Sequence, residues 1–171
     1  MENKLPKRKN IRLEDFDYSS AGAYFITICA ENGKNYFWEK DTLPEKVNWQ
    51  YVGANCVRPQ GLPLSKIGET VLNEFGKWEE TYDCVTIPAY VIMPNHLHVM
   101  IAISGDEFGR TQFAPTLNRM IKQFKGSVSK KVGKSIWQKS FMEHVIRNEK
   151  DFLVKFNYIM ENPLKLYYKE K

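Results

Sequence analysis

Cysteine is scarce in this chain of 171 residues: Cys29, Cys56 and Cys84 are all it has, an odd number without a C-x-x-C pair. That pattern speaks against a disulfide framework or a structural zinc site, and it points to a reducing compartment, the cytoplasm. Long apolar runs are missing too. No stretch approaches the ~20 residues that a membrane-spanning helix needs. The N-terminus, MENKLPKRKNIRLEDFDYS, is charged and carries no apolar signal core, so no membrane partner is expected. There is no internal repeat and no low-complexity tract. What remains is an ordinary globular composition, 43% hydrophobic and 13% aromatic, with a net charge of +5. A core can form, and the basic balance suits a polyanionic partner without requiring one.

The length fits one domain, residues 1–171, with two appendages. The first is a basic arm at about 1–16, where Lys4, Lys7, Arg8, Lys9 and Arg12 cluster. The second is a surface insertion or long loop at about 41–63, punctuated by Pro44, Gly53, Pro59, Gly61 and Pro63. Between them AYFITICA (23–30) has the β-branched and aromatic content of a strand, with YFW (36–38) as its hairpin partner across ENGKN. Leu64, Ile67, Val71, Phe75 and Trp78 then recur at helical spacing behind Ser65, a suitable N-cap. CVTIPAYVI (84–92) reads as a strand that Pro88 marks as an edge or a bulge. MPNH is a tight turn, and Asn95–Ile103 a second strand. A basic helix follows from Thr116, with Leu117 and Phe124 at core spacing and Arg119, Lys122, Lys125, Lys130 and Lys131 around them. IWQKSFMEHVI reads as another strand. A last helix is capped by Asn148 and is expected to end at Pro163. The order predicts an α+β sandwich: an antiparallel sheet with two helices on one face and the terminal helix free to cover the other.

Two of only three histidines, His96 and His98, stand inside the apolar run YVIMPNHLHVMIAIS. On a strand they share a face, about 6.6 Å apart at Cα, while Leu97, Val99 and Ile101 take the other. Buried unpaired they would cost roughly 1–3 kcal/mol. They are either satisfied core residues or ligands. A cation held by both needs further donors. Tyr158 and Asn162, four residues apart on the terminal helix, project from one helix face. The Asn162 oxygen would complete a His, His, Asn triad with Tyr158 beside it. A phenol is a poor nucleophile at neutral pH, but it can attack a phosphodiester whose oxygens a divalent cation polarises.

These motifs together resemble the single-tyrosine HUH transposases, and within them the REP-associated tyrosine transposases. The matching stretches are His96-Leu97-His98, NYIMENP (157–163), IRLEDFDYSSAGAYFITICAENGKNYF and WQKSFMEHVIRN. They cover most of the chain except 41–63. The resemblance implies a ferredoxin-like core. It implies cleavage and rejoining of single-stranded, hairpin-bearing DNA by Tyr158 through a 5′-phosphotyrosine, with Mg²⁺ or Mn²⁺ held by His96, His98 and Asn162. It implies DNA with hairpin or palindromic repeats as partner, and action as a monomer or homodimer. The chain ends soon after Pro163, so DNA contacts that longer members carry there are expected to be missing. Lys7, Arg8, Arg119, Lys122, Lys125, Arg147 and Lys155 are the candidate DNA contacts, and His144 is assigned a structural or DNA-contacting role rather than that of a metal ligand. Two other readings stand beside this one: a non-catalytic DNA-binding module of the same fold, and a metal-dependent nuclease that uses water.

Overall fold

A computed structural model describes residues 21–44, 47–53, 56–105 and 116–169. The basic arm at 1–16, with Lys7 and Arg8, lies outside the described residues. The elements in chain order are β1 (Gly22–Cys29), β2 (Asn48–Gly53), β3 (Cys56–Gln60), α1 (Lys66–Thr81), β4 (Val85–Thr86), β5 (Tyr90–Ile92), β6 (His96–Ile103), α2 (Leu117–Val132), β7 (Met142–Ile146) and α3 (Glu149–Lys169). The fold is α+β. Its main sheet runs β4-β6-β1-β7, all antiparallel, with β5 pairing β6 beside β4.

Strand alternation decides which chemistry faces which way. β1 and β6 pair along their whole length, so Tyr24, Ile26 and Ile28 lie opposite Ile101, Val99 and Leu97. All six are fully buried. Tyr90 of β5 pairs with Val99 and takes the same side. On that side Phe75 of α1 stacks on Tyr90 at 5.2 Å and meets Phe124 of α2 at 4.7 Å and Trp78 at 5.3 Å. Thus α1 and α2 both cover the Leu97/Val99/Ile101 face. Tyr158 of α3 instead lies 5.8 Å from Phe25 and 5.1 Å from His98, on the opposite face.

The helix starts follow their caps. The Gly68 N–H donates to Ser65 Oγ (3.1 Å), the Arg119 N–H to Thr116 Oγ1 (3.3 Å), and the Asp151 N–H to Asn148 Oδ1 (2.9 Å). Other expectations need correction. Residues 41–63 are not all loop. β2 and β3 form a two-stranded hairpin with Trp49 opposite Pro59, tied to the body by the Val57 N–H to the Pro88 carbonyl (2.8 Å) and by Arg58, which donates to Glu79 and to the Ile87 carbonyl. YFW is no hairpin partner. Phe37 and Trp38 turn into the core instead, the Trp38 indole N–H donating to the Ile92 carbonyl at 2.7 Å. CVTIPAYVI splits into β4 and β5 around Pro88, which supplies no ladder donor. Only Met142–Ile146 of the stretch after Ile136 is a strand. Ile136 and Trp137 are buried ahead of it. Finally, α3 runs through Pro163 to Lys169. Pro163 forfeits one backbone bond, but it is itself buried and Leu166 beyond it packs on the core.

Two local features hold the helix layer. Gly68 in the first turn of α1 approaches the 36–38 segment so closely that a Cβ there would stand 2.0 Å from the Phe37 carbonyl oxygen. Gly68→Ala should therefore lower unfolding free energy in urea titration by about 1–3 kcal/mol or more. Gly76→Ala in the same helix, with nothing within 4 Å, should raise it by up to ~1 kcal/mol. Equal effects at the two positions would refute the close-approach account. The second feature is Glu74, only 6% exposed. Its carboxylate accepts from Lys131 (2.6 Å), Lys77 (2.8 Å) and Ser127, joining α1 to α2. Burial alone would raise its pKa, but the hydrogen bonds from Lys131, Lys77 and Ser127 outweigh that and hold it at about 2.

Candidate metal and tyrosine site

The face of the sheet away from α1 and α2 carries the polar residues of β6. His96 and His98 project to it together, and their Nε2 atoms lie 3.1 Å apart. Burial lowers the pKa of His96. Burial, with His96 alongside, pulls His98 down to about 3. Both rings are therefore neutral at physiological pH, the state in which imidazole binds a metal. Each ring has a partner on its far nitrogen: Asn95 Oδ1 at 2.7 Å from His96 Nδ1, and Thr27 Oγ1 at 2.9 Å from His98 Nδ1. His98 is 5% exposed and stacks on Phe25 at 5.2 Å, which fixes its plane.

α3 lies across this face because two stripes interleave on it. Phe152, Phe156, Ile159, Pro163 and Leu166 repeat at 4, 3, 4 and 3 residues, and they are buried or packed against the core. Asp151, Lys155, Tyr158, Asn162 and Lys165 follow the same spacing one residue earlier, so they lie about 100° around the helix. Tyr158 is 42% exposed, with its ring edge-on to His98. Lys155 Nζ sits 5.3 Å from the Phe25 ring, and Lys165 Nζ sits 6.0 Å from the Tyr158 ring while paired to Glu161 at 2.7 Å.

The residues fit a divalent cation on two counts. Two neutral imidazoles aim at one point. Asn162 stands one turn beyond Tyr158, and its Nδ2 is buried without a hydrogen-bond partner. Turning that amide over brings its oxygen to the same buried position, the atom a cation requires. No cluster of three or more His, Cys, Asp or Glu side chains is placed to bind a metal among the described residues.

The candidate DNA contacts divide. Lys155 is beside Tyr158. Arg147 stands at the junction of β7 and α3, its backbone N–H donating to Asp151 at 3.3 Å. Arg119 and Lys122 are exposed on α2, in the layer across the sheet from the histidines. Lys125 is engaged: its ammonium donates to the Gln138 and Ser140 carbonyls, both at 2.9 Å, and burial lowers its pKa to about 8. His144 shares the histidine face, since it pairs with Phe25, but its Nε2 is bonded to Asp151 at 2.8 Å. A groove of about 650 Å³ between the β2–β3 hairpin and α1, lined among others by Arg58, Asn73, Glu79 and Tyr90, lies on the helix side of the sheet, away from His96 and His98. Thr27, Asn95, Phe25 and Lys165 escaped the reading of the sequence. Lys165 was legible as the next step of the stripe 151-155-158-162.

No protein-family model matches the chain. An uncharacterised protein of Haemophilus influenzae is 30% identical over 92% of this chain and 88% of its own length. The REP-associated tyrosine transposase of Escherichia coli is 36% identical over 46% of this chain and 44% of its own. The solved structure of a REP-associated tyrosine transposase bound to a REP hairpin superposes with a TM-score of 0.60 at 21% identity, covering 90% of this chain and 73% of that one. In sequence over just under half of its length, and in fold over 90% of it, the chain is similar to REP-associated tyrosine transposases. The chain spans less than half the length of the E. coli member, whereas the likeness in fold to the solved transposase extends over nearly all of it. No described helix is long and apolar enough to cross a membrane.

Proposed function

We propose that this chain is a DNA strand-transfer enzyme that cuts and rejoins single-stranded, hairpin-bearing DNA through a covalent bond to Tyr158. The observation that carries the reading is the meeting of a half-exposed tyrosine with two neutral histidines whose Nε2 atoms lie 3.1 Å apart. A divalent cation, Mg²⁺ or Mn²⁺, held by His96, His98 and Asn162 would polarise the scissile phosphate. The Tyr158 oxygen attacks phosphorus and the bond to the 3′ oxygen breaks. The phenol gives up its proton and the departing 3′ oxygen takes one, so a 3′-hydroxyl and a 5′-phosphotyrosine form with no water consumed. The ester exchange is close to isoenergetic, which leaves the phosphotyrosine able to react with a new 3′-hydroxyl.

The strand's phosphates would run along α3, where Lys155 and Lys165 bracket Tyr158, with Arg147 at the helix start. Arg119 and Lys122 on α2, and Lys7 and Arg8 of the arm, would serve DNA lying beyond the site. The exposed ring of Tyr158 suits an unpaired base better than a closed duplex.

The test uses the full chain with a single strand bearing a hairpin, taken from the flanks of its own gene, in Mg²⁺ or Mn²⁺. A protein–DNA adduct that survives denaturation and maps by mass spectrometry to Tyr158 is expected. Chelation should abolish it, and a fully paired duplex should give none. Cutting without an adduct would replace this reading with water-dependent hydrolysis. Binding without cutting would leave a DNA-binding module of the same fold.

A further inference from the structure

We propose that Asn95 and Thr27 are positioning residues that set the histidine tautomers, Asn95 locking His96 in one and Thr27 letting His98 exchange between two, so that the pair can trade a ring-to-ring hydrogen bond for a cation. The inference rests on the reading of His96 and His98 as metal ligands.

The orientation of Asn95 follows from its other contact. Asn95 Nδ2 donates to the Gly33 carbonyl at 3.2 Å, and a carbonyl can only accept. The amide oxygen must therefore be the atom facing His96 Nδ1 at 2.7 Å. An amide oxygen also only accepts, so the proton of His96 is on Nδ1 and its Nε2 carries a lone pair. Gly33 belongs to the tight turn Glu31–Gly33 after β1, so the turn and the ligand are braced by one side chain.

Thr27 differs from Asn95 because a hydroxyl both donates and accepts. Without a cation, two Nε2 atoms 3.1 Å apart need one proton between them. His96 cannot supply it, so His98 Nε2–H donates to His96 Nε2. His98 Nδ1 then accepts from the Thr27 hydroxyl, 2.9 Å away. To bind a cation, His98 must present its Nε2 lone pair. The proton then resides on Nδ1 and donates to Thr27 Oγ1, whose own hydrogen swings aside. One proton leaves Nε2 and one arrives at Nδ1, so the pair's charge is unchanged. The ring need not move, and its burial against Phe25 keeps it in place. Hydrogen bonds of this kind behind a ligand are worth about 10–100-fold in metal affinity.

The experiment uses the full-length protein with ¹⁵N-labelled histidine, and Mn²⁺ binding followed by electron paramagnetic resonance. In the metal-free protein at neutral pH, the ring nitrogen shifts should show His96 protonated on Nδ1 and His98 on Nε2. Saturation with diamagnetic Mg²⁺ should move the His98 proton to Nδ1 and leave His96 unchanged. Thr27→Val keeps the side-chain volume and should weaken Mn²⁺ binding about 10–100-fold, with Thr27→Ser restoring it. Asn95→Ala should weaken it similarly. A parent protein that binds Mn²⁺ alongside variants that bind it equally well would overturn the proposal. So would a metal-free His98 already protonated on Nδ1. A parent that binds neither ion would instead defeat the assignment of His96 and His98 as ligands, and the proposal with it.

Discussion

Tyr158→Phe is expected to reduce strand cleavage at least ~10³-fold, and to remove the covalent adduct, while hairpin-DNA affinity stays within about twofold. The substitution deletes one oxygen. The ring contacts with His98 and Phe25, at 5.1 and 5.8 Å, do not depend on it, and at 42% exposure the side chain is not a core support. Thermal stability should thus be unchanged. The loss in rate is large because an enzyme without its nucleophile keeps only its binding and electrostatic contributions. Single-turnover cleavage on a denaturing gel measures it. Residual cutting within tenfold of the parent would show that another group, or water, attacks phosphorus. His96→Ala gives a contrasting outcome, since Tyr158 remains and cleavage should recover in part when the divalent ion is raised.

Acid should unfold the protein partly through Glu74. Its carboxyl lies near 2 in the folded protein against an ordinary 4.5. A folded value below the unfolded one means that the unfolded chain binds the extra proton. The stabilisation is complete above about pH 4.5 and is lost as pH falls towards 2. At 1.36 kcal/mol for each pKa unit the contribution is on the order of 3 kcal/mol. Glu74→Gln should therefore be less stable than the parent by about 2–3 kcal/mol at pH 7, and the gap should close between pH 4.5 and 2. Urea unfolding at a series of pH values measures this. Asp151, whose carboxyl is lowered by its hydrogen bond to His144, titrates alike in both proteins and cancels from the difference. A gap that stays constant with pH would mean that Glu74 acts through packing alone.

Elements whose signal is local were legible in the sequence. β6 declares its two faces by simple alternation, and α1 and α3 each begin at a capping side chain. The β2–β3 hairpin was not legible, because Pro59 within it reads as a breaker. A two-stranded ribbon tolerates a proline at a free edge, and what holds this one down is remote: Arg58 to Glu79 and Val57 to Pro88. The continuation of α3 past Pro163 was hidden for a related reason. The local cost of proline is visible in sequence, while the burial of Pro163 and the packing of Leu166 that offset it are not. At the site, the histidines stood out as rare polar residues in an apolar run. Thr27 did not, since its bond to His98 spans 71 residues and a threonine is unremarkable in a strand.

The division of β6 into an aliphatic side and an imidazole side has a consequence for how such a protein can change. Phe75, Trp78, Phe124 and the carboxylate that ties α1 to α2 all lie beneath the sheet, whereas His96, His98, Tyr158 and Lys155 lie above it. Under the proposed function, substitutions that would alter DNA choice or metal preference can accumulate on the upper side with little toll on folding. A lineage could therefore diversify its targets, or lose cleavage and keep binding, without first acquiring a compensating stabiliser. Robustness and specificity would then drift as nearly independent traits, separated by the thickness of one strand.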